Sequence, residues 1–215
     1  MKIKLCNYIL FYGEQGKDKT FTVEFNPGYT AIVGPNGSGK TTILKQIYDY
    51  CKKNSDKYEA VRFDNLTDGS NRKFSEFLIT DRADMIASIM TQSEGQGIMT
   101  NLGDFASRCG QATRSCLKDK KNLVILIDGV DSGTSIDNIY VFRNHFCNTI
   151  INHCSNENIT VYIIATANNY AMVNNGVDCV IGFNGRHRGF GSYNAFESFI
   201  LKNSEDYERL KNHTI

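Results

Sequence analysis

At 215 residues, with 41% hydrophobic and 22% charged residues, the chain has the composition of a globular domain large enough to bury a core. Its 24 Lys and Arg against 23 Asp and Glu leave a formal charge of +1, which excludes a protein whose main task is to coat nucleic acid or an anionic membrane. Any polyanion contact must then be a local patch. The longest aliphatic run, Leu123 to Ile127, is far shorter than the roughly 20 residues a bilayer span needs, and no cleavage pattern follows the N-terminal apolar stretch, so neither a membrane segment nor a signal peptide is expected. Seven cysteines without a C-x-x-C pair point to reduced thiols and a cytoplasmic setting.

In chain order, alternation in Phe21-Thr22-Val23-Glu24-Phe25 predicts antiparallel strands within Ile3 to Phe25. A turn at Asn26-Pro27-Gly28 leads into a short apolar strand, Tyr29 to Val33, and a helix follows through Thr42 to Tyr48. Ala60 to Phe63 reads as a strand that ends at Asp64-Asn65, and residues 74 to 92 as a helix. Ile98, Leu102, Phe105, Cys109, Ala112 and Cys116 recur in steps of three and four and predict an amphipathic helix. Leu123 to Ile127 is apolar throughout, as a strand buried on both faces requires. Ile136, Ile139, Phe142 or Arg143, Phe146, Ile150 and Cys154 form a second helical stripe. His145, Cys147, His153 and Cys154 lie within it, but positions 145 and 147 face different ways, so no zinc set is read from them. Val161 to Ala165 and Val177 to Phe183 are further strands, and Phe196 to Leu210 is a C-terminal helix that docks on the sheet or on a partner. The alternation of strand and helix predicts an α/β fold with a mainly parallel sheet.

Gly34-Pro35-Asn36-Gly37-Ser38-Gly39-Lys40-Thr41 matches G-x-x-x-x-G-K-[ST] between a strand and a helix. Glycines let successive N–H groups point at one anion, and the helix start adds its positive dipole end. Lys40 is expected on the β- and γ-phosphates of ATP and Thr41 on Mg²⁺, with Thr42 completing the nucleotide-binding loop. The apolar strand ending at Asp128 has the form of a Walker B strand, whose carboxylate holds Mg²⁺. Arg186-His187-Arg188 reads as a solvated, Gly-rich loop, with polyanion contact as the alternative.

The phosphate loop, Ser93-Glu94-Gly95-Gln96 before a long helix, and Asp128 followed by Asp131-Ser132-Gly133-Thr134-Ser135-Ile136-Asp137 together resemble the ABC-type ATPase superfamily. The nearest likeness is to its soluble branch: SMC, RecF-like and recombination-repair heads and small AAA-annotated ATPases of bacteria and phages. The resemblance covers roughly residues 3 to 183. It implies a P-loop NTPase fold with an N-terminal antiparallel β portion. The whole chain, 1–215, is then one nucleotide-binding domain, with a reduced helical lobe at about 66–120 and a C-terminal helix at about 194–211. It further implies a homodimer that closes on two Mg-ATP. In such a dimer the signature Ser93-Glu94-Gly95-Gln96 would face the nucleotide in trans, with Ser93, Gly95 and Gln96 capping the γ-phosphate, and Ser135 and Asp137 would form the D-loop. Tyr8, Phe11 and Tyr12 are the candidates to stack on adenine, Tyr12 first among them, and Asn65, or Asp64, stands where the family has a Gln near the metal.

Two departures stand out. The family's catalytic Glu after the Walker B Asp is replaced by Gly129, which cannot act as a base. The switch His position falls on Ala167 and Asn168. Asp131 is the candidate substitute base, and Gly129→Glu is expected to raise turnover if the missing carboxylate is the limiting defect. The resulting expectation is an ATPase with Lys40 and Asp128 as its main catalytic residues, slow or partner-dependent hydrolysis, and a role linked to DNA or a DNA-associated protein. An ATP-dependent interaction switch without catalysis is the alternative. A transport ATPase fits less well, because little chain between Thr41 and Ser93 remains for a coupling subdomain.

Overall fold

The computed structural model describes residues 1–6, 20–65, 94–182 and 184–212; the side chains of helical residues 94–103 and 206–212 lie outside that description. The expected helix at 74–92, Tyr8, Phe11, Tyr12, Ser93 and Phe183 therefore also lie outside it.

β1 (Lys2–Cys6) and β2 (Thr20–Glu24) pair antiparallel as a small separate sheet. The main sheet contains β3 (Gly28–Val33), β4 (Tyr58–Asp64), β5 (Asn122–Asp128), β6 (Val161–Ala167), β7 (Asp178–Ile181) and β8 (His187–Arg188), in the order β4-β5-β6-β3-β7-β8. All its pairings are parallel except β7 with β8. The helices are α1 (Lys40–Lys53), α2 (Glu94–Asp119), α3 (Ile136–Val141), α4 (Asn148–Asn156) and α5 (Tyr193–Asn212). This is the α/β architecture of a P-loop NTPase.

Strand parity assigns the two cores. In β5, Leu123, Ile125 and Ile127 enter the core that also holds Phe105, Cys109, Ala112 and Cys116 of α2, while Val124 and Leu126 face Ile43, Leu44 and Ile47 of α1 and the small sheet. A strand sandwiched in this way has no polar face, which accounts for the unbroken apolar run. The small sheet is tied to α1 through the Gln46 side chain, which accepts from Cys6 N at 2.7 Å and donates to Cys6 O at 3.0 Å.

Four expectations change. The helix read as one stripe from Ile136 to Cys154 is broken by a π-helical segment, Phe142–Cys147. The wider turns shift the register, so that Ile139, Phe142 and Cys147 are all buried while Ile136 is left 69% exposed. Phe146 stacks between Phe142 (centroids 5.6 Å) and Phe105 (6.0 Å), an aromatic column that favours the shifted register. Strand β7 stops at Ile181, whose carbonyl is taken up by a turn, accepting from Gly185 N at 2.8 Å. Residues 187–188, read as loop, form the edge strand β8, and Arg188 lies over the rings of Phe190 and Phe199. Helix α5 begins at Tyr193, earlier than expected, and buries Phe196 and Phe199 in this chain's own core, which decides the open alternative between sheet and partner for that face.

Candidate functional site

Strand β3 delivers the chain to Gly34, and α1 begins six residues later at Lys40. Gly39 caps the helix at φ +83°, a left-handed conformation that glycine adopts without a steric penalty. Lys40 folds back over the loop, and its Nζ donates to Gly34 O at 2.7 Å and Pro35 O at 3.1 Å. Burial lowers its pKa, with the Asp131 and Asp128 charges opposing that shift. Ser38 is buried, and its hydroxyl has no hydrogen-bond partner among the described residues. An ammonium held only by carbonyls and an orphaned hydroxyl in one glycine loop leave a site that an anion would satisfy.

This loop forms one wall of a cleft of about 450 Å³. The other wall follows from register. Asp64 ends β4 opposite Asp128, and Ile127 pairs with Ala165, which sets Asp128 beside Thr166. Residues 64, 128 and 166 share the face that carries α1, so their side chains meet the phosphate loop instead of the opposite core. The Thr166 hydroxyl donates to Asp128 Oδ1 at 2.9 Å and accepts from Gly129 N at 3.0 Å. Asp64 pairs with Arg62 at 2.6 Å. Asn65, Gly129, Ser132 and Asn168 complete this wall. The cleft thus brings Asn36 to Thr42 together with Asp128, Asn65 and Asn168. Thr166 lay in no recognised motif and Ser132, inside the 131–137 stretch, was given no role, so both were missed; the parity of β6 relative to β5 is the signal that locates Thr166.

Two expected roles do not fit this geometry. The Asp131 carboxylate accepts from Asn168 N at 2.6 Å, Asn169 N at 2.8 Å and Asn168 Nδ2 at 3.2 Å, and it does not line the cleft. It straps the loop after β5 to the end of β6 and is not placed as a base. Ala167 is fully buried in the core, so of the two switch candidates only Asn168 reaches the cleft. Gly129 has φ +70°, and a Cβ there would meet Asn65 Cβ at 3.3 Å, so this position is built for glycine. Ser135 caps α3, Asp137 lies in its first turn, and both are exposed. The Ser135 hydroxyl and nearby backbone N–H groups hold the Asp137 carboxyl below its ordinary pKa. Glu94, Gly95 and Gln96 form the first turn of α2, with their side chains outside the description, and Ser93 and Tyr12 lie outside it altogether.

Residues 25–203 match a family described as an ATPase domain predominantly from Archaea. The chain belongs to that family. This ATPase domain is also 39% identical over 67 residues to a putative ABC transporter ATP-binding protein of Pyrococcus furiosus, a stretch that covers 30% of this chain and 23% of that protein. It spans about a quarter of the length of that curated relative. A solved structure of the Aeropyrum pernix ORC2 protein, in ADPNP-ADP complexes, aligns with 71% of this ATPase domain and 37% of that chain, at 10% identity and a TM-score of 0.31. No helix among the described residues is long and apolar enough to cross a membrane.

Proposed function

We propose that this ATPase domain binds Mg-ATP in the cleft between Asn36 and Asn168, hydrolyses it slowly, and uses the bound nucleotide to join two copies of the chain. The observation that carries the proposal is the cleft itself: a complete phosphate grip faces Asp128, with glycine where a water-activating carboxylate would stand. ATP supplies a strained phosphoanhydride and the metal supplies charge neutralisation. The chain supplies position. Lys40 transfers its hydrogen bonds from Gly34 O and Pro35 O to phosphate oxygens, and Ser38 gains a partner for its hydroxyl. Thr41 and Asp128 hold Mg²⁺, and the Thr166 hydroxyl fixes the rotamer of Asp128. Asn168 reaches the cleft as a neutral hydrogen-bonding group. Preorganised donors of this kind accelerate phosphoryl transfer without a base, which makes slow turnover the expected outcome.

Dimerisation is supported by the exposed apolar side chains Ile136, Tyr140 and Val141 on α3, next to Ser135 and Asp137. A linkage to DNA is supported by the motif order that resembles SMC and RecF-like heads. Lys40→Ala should abolish binding of a fluorescent ATP analogue. Light scattering should show the 24.2 kDa chain doubling in mass with Mg-ATP; a monomer at saturating nucleotide would contradict the dimer. The alternative, an interaction switch without turnover, is favoured by Gly129 and would show nucleotide-dependent association with no phosphate release under any partner.

A further inference from the structure

A second cleft, of about 470 Å³, lies between the β7–β8 hairpin and α5, and its polar lining is Asn184, Arg186, Arg188, Ser198, Lys202 and Asn203. Strand alternation puts Arg186 and Arg188 on one side of the hairpin and His187 on the other. Ser198 and Lys202 are four residues apart on α5 and share a helical face that meets them. We propose that this cleft binds the phosphodiester backbone of a nucleic-acid strand. That gives the nucleic-acid part of the proposed role a physical site, and it stands or falls separately from the ATP cleft.

Charge is the first argument. Three cations converge where, among the described residues, no carboxylate lines the wall. Asp178 is engaged by His187 at 2.8 Å from the other side of the hairpin, and Glu197 accepts from the Tyr193 hydroxyl at 3.3 Å. In a chain with a net charge of only +1, this is a concentrated positive site, and its self-repulsion falls when an anion enters. Preorganisation is the second. The Arg188 guanidinium lies 4.9 Å from the Phe199 ring centroid and 5.2 Å from that of Phe190, so its direction is set before any ligand arrives. Arg186 N donates to Asn184 Oδ1 at 3.0 Å, which fixes the turn that carries it.

Shape selects the occupant. Arg186, Arg188 and Lys202 are all exposed, on an open cleft wall, whereas a small phosphorylated metabolite would call for an enclosed pocket. Arg, Lys, Ser and Asn are the usual partners of backbone phosphates. The two aromatic rings are buried and covered by Arg188, so neither is offered for base stacking, and contacts confined to the backbone make binding independent of sequence. The cleft is also close to the ATP site: Gly182, at the start of the hairpin, donates to Val33 O immediately before the phosphate loop.

The test is fluorescence anisotropy of a labelled duplex of about 30 base pairs, followed between about 50 and 200 mM salt. Wild type is compared with Arg186→Gln, Lys202→Gln and the double variant, and ATP-analogue binding is measured in each to report folding. The expected result is weaker duplex binding, by about tenfold or more in the double variant, with nucleotide affinity unchanged. The salt slope should fall by about one per phosphate contact removed, equally for unrelated sequences. The single variants, each altering one exposed side chain, should show intermediate losses. Equal duplex affinity in wild type and variants would overturn the proposal, as would no duplex binding by a chain that still binds nucleotide. Displacement by inorganic phosphate at an equal concentration of phosphate groups would also overturn it, in favour of a free-phosphate site.

Discussion

Thr166 is the residue on which the proposed metal side of the cleft depends. It has no charge and belongs to no motif, yet one hydroxyl serves both Asp128 Oδ1 and Gly129 N. Thr166→Val keeps the shape and removes both bonds. It should cost about 1–3 kcal/mol of stability, because two polar groups lose their partner, and it should raise the Mg²⁺ concentration needed for nucleotide binding. A magnesium titration at fixed ATP analogue reads this; an unchanged midpoint would separate Thr166 from the metal site. Gly129 alters the expectation drawn from the sequence. At φ +70° a side chain is strained, so Gly129→Glu should lower stability by about 1–2 kcal/mol without placing its carboxylate productively. A single-turnover assay checks this, and faster hydrolysis by a variant as stable as wild type would refute it. The glycine after Asp128 was legible in the sequence, but the backbone conformation that disfavours any side chain there was not, because φ is set by the turn after β5.

At the scale of elements, legibility followed local periodicity. The stripe through Phe105, Cys109, Ala112 and Cys116 predicted the buried face of α2, and the aliphatic run predicted β5, because each pattern reports one face of one element. The π segment at Phe142–Cys147 broke that logic: its register is decided by a column of rings drawn from two helical segments, and no local window contains that information. The edge strand β8 was hidden for a related reason. It is two residues long and exists because it pairs with β7 and lies against α5. Phe196, on the buried side of α5, meets Phe190 at 5.2 Å and Tyr170 at 5.9 Å. Phe196→Ala should cost about 3–5 kcal/mol, a melting-temperature drop of about 10 °C for a chain of this size, which scanning calorimetry would show. A drop within error would mean that α5 is not part of the core.

For the whole molecule, the two cores either side of one sheet bring six of the seven thiols out of water. Burial pushes Cys51, Cys109, Cys116 and Cys179 up to about 12, against 9.0 for an unburied thiol. A folded-state value raised above the unfolded one gives stability that is complete below pH 9 and is lost as the pH climbs towards 12. The urea midpoint should therefore hold steady from pH 7 to 8 and fall above about pH 9. Equal midpoints at pH 7 and 10 would show that the thiols ionise alike folded and unfolded. The parallel order of β4, β5, β6 and β3 also gathers every cleft residue at one end of the sheet, so Lys40, Asp128 and Gly129 belong to a single site, the one proposed to hold Mg-ATP and turn it over slowly. Its most direct test is a single-turnover time course with protein in excess over Mg-ATP. The expected result is quantitative retention of ATP followed by conversion to ADP over minutes. Failure to retain nucleotide, or complete conversion within about a second, the range of fully equipped phosphoryl-transfer enzymes, would contradict it.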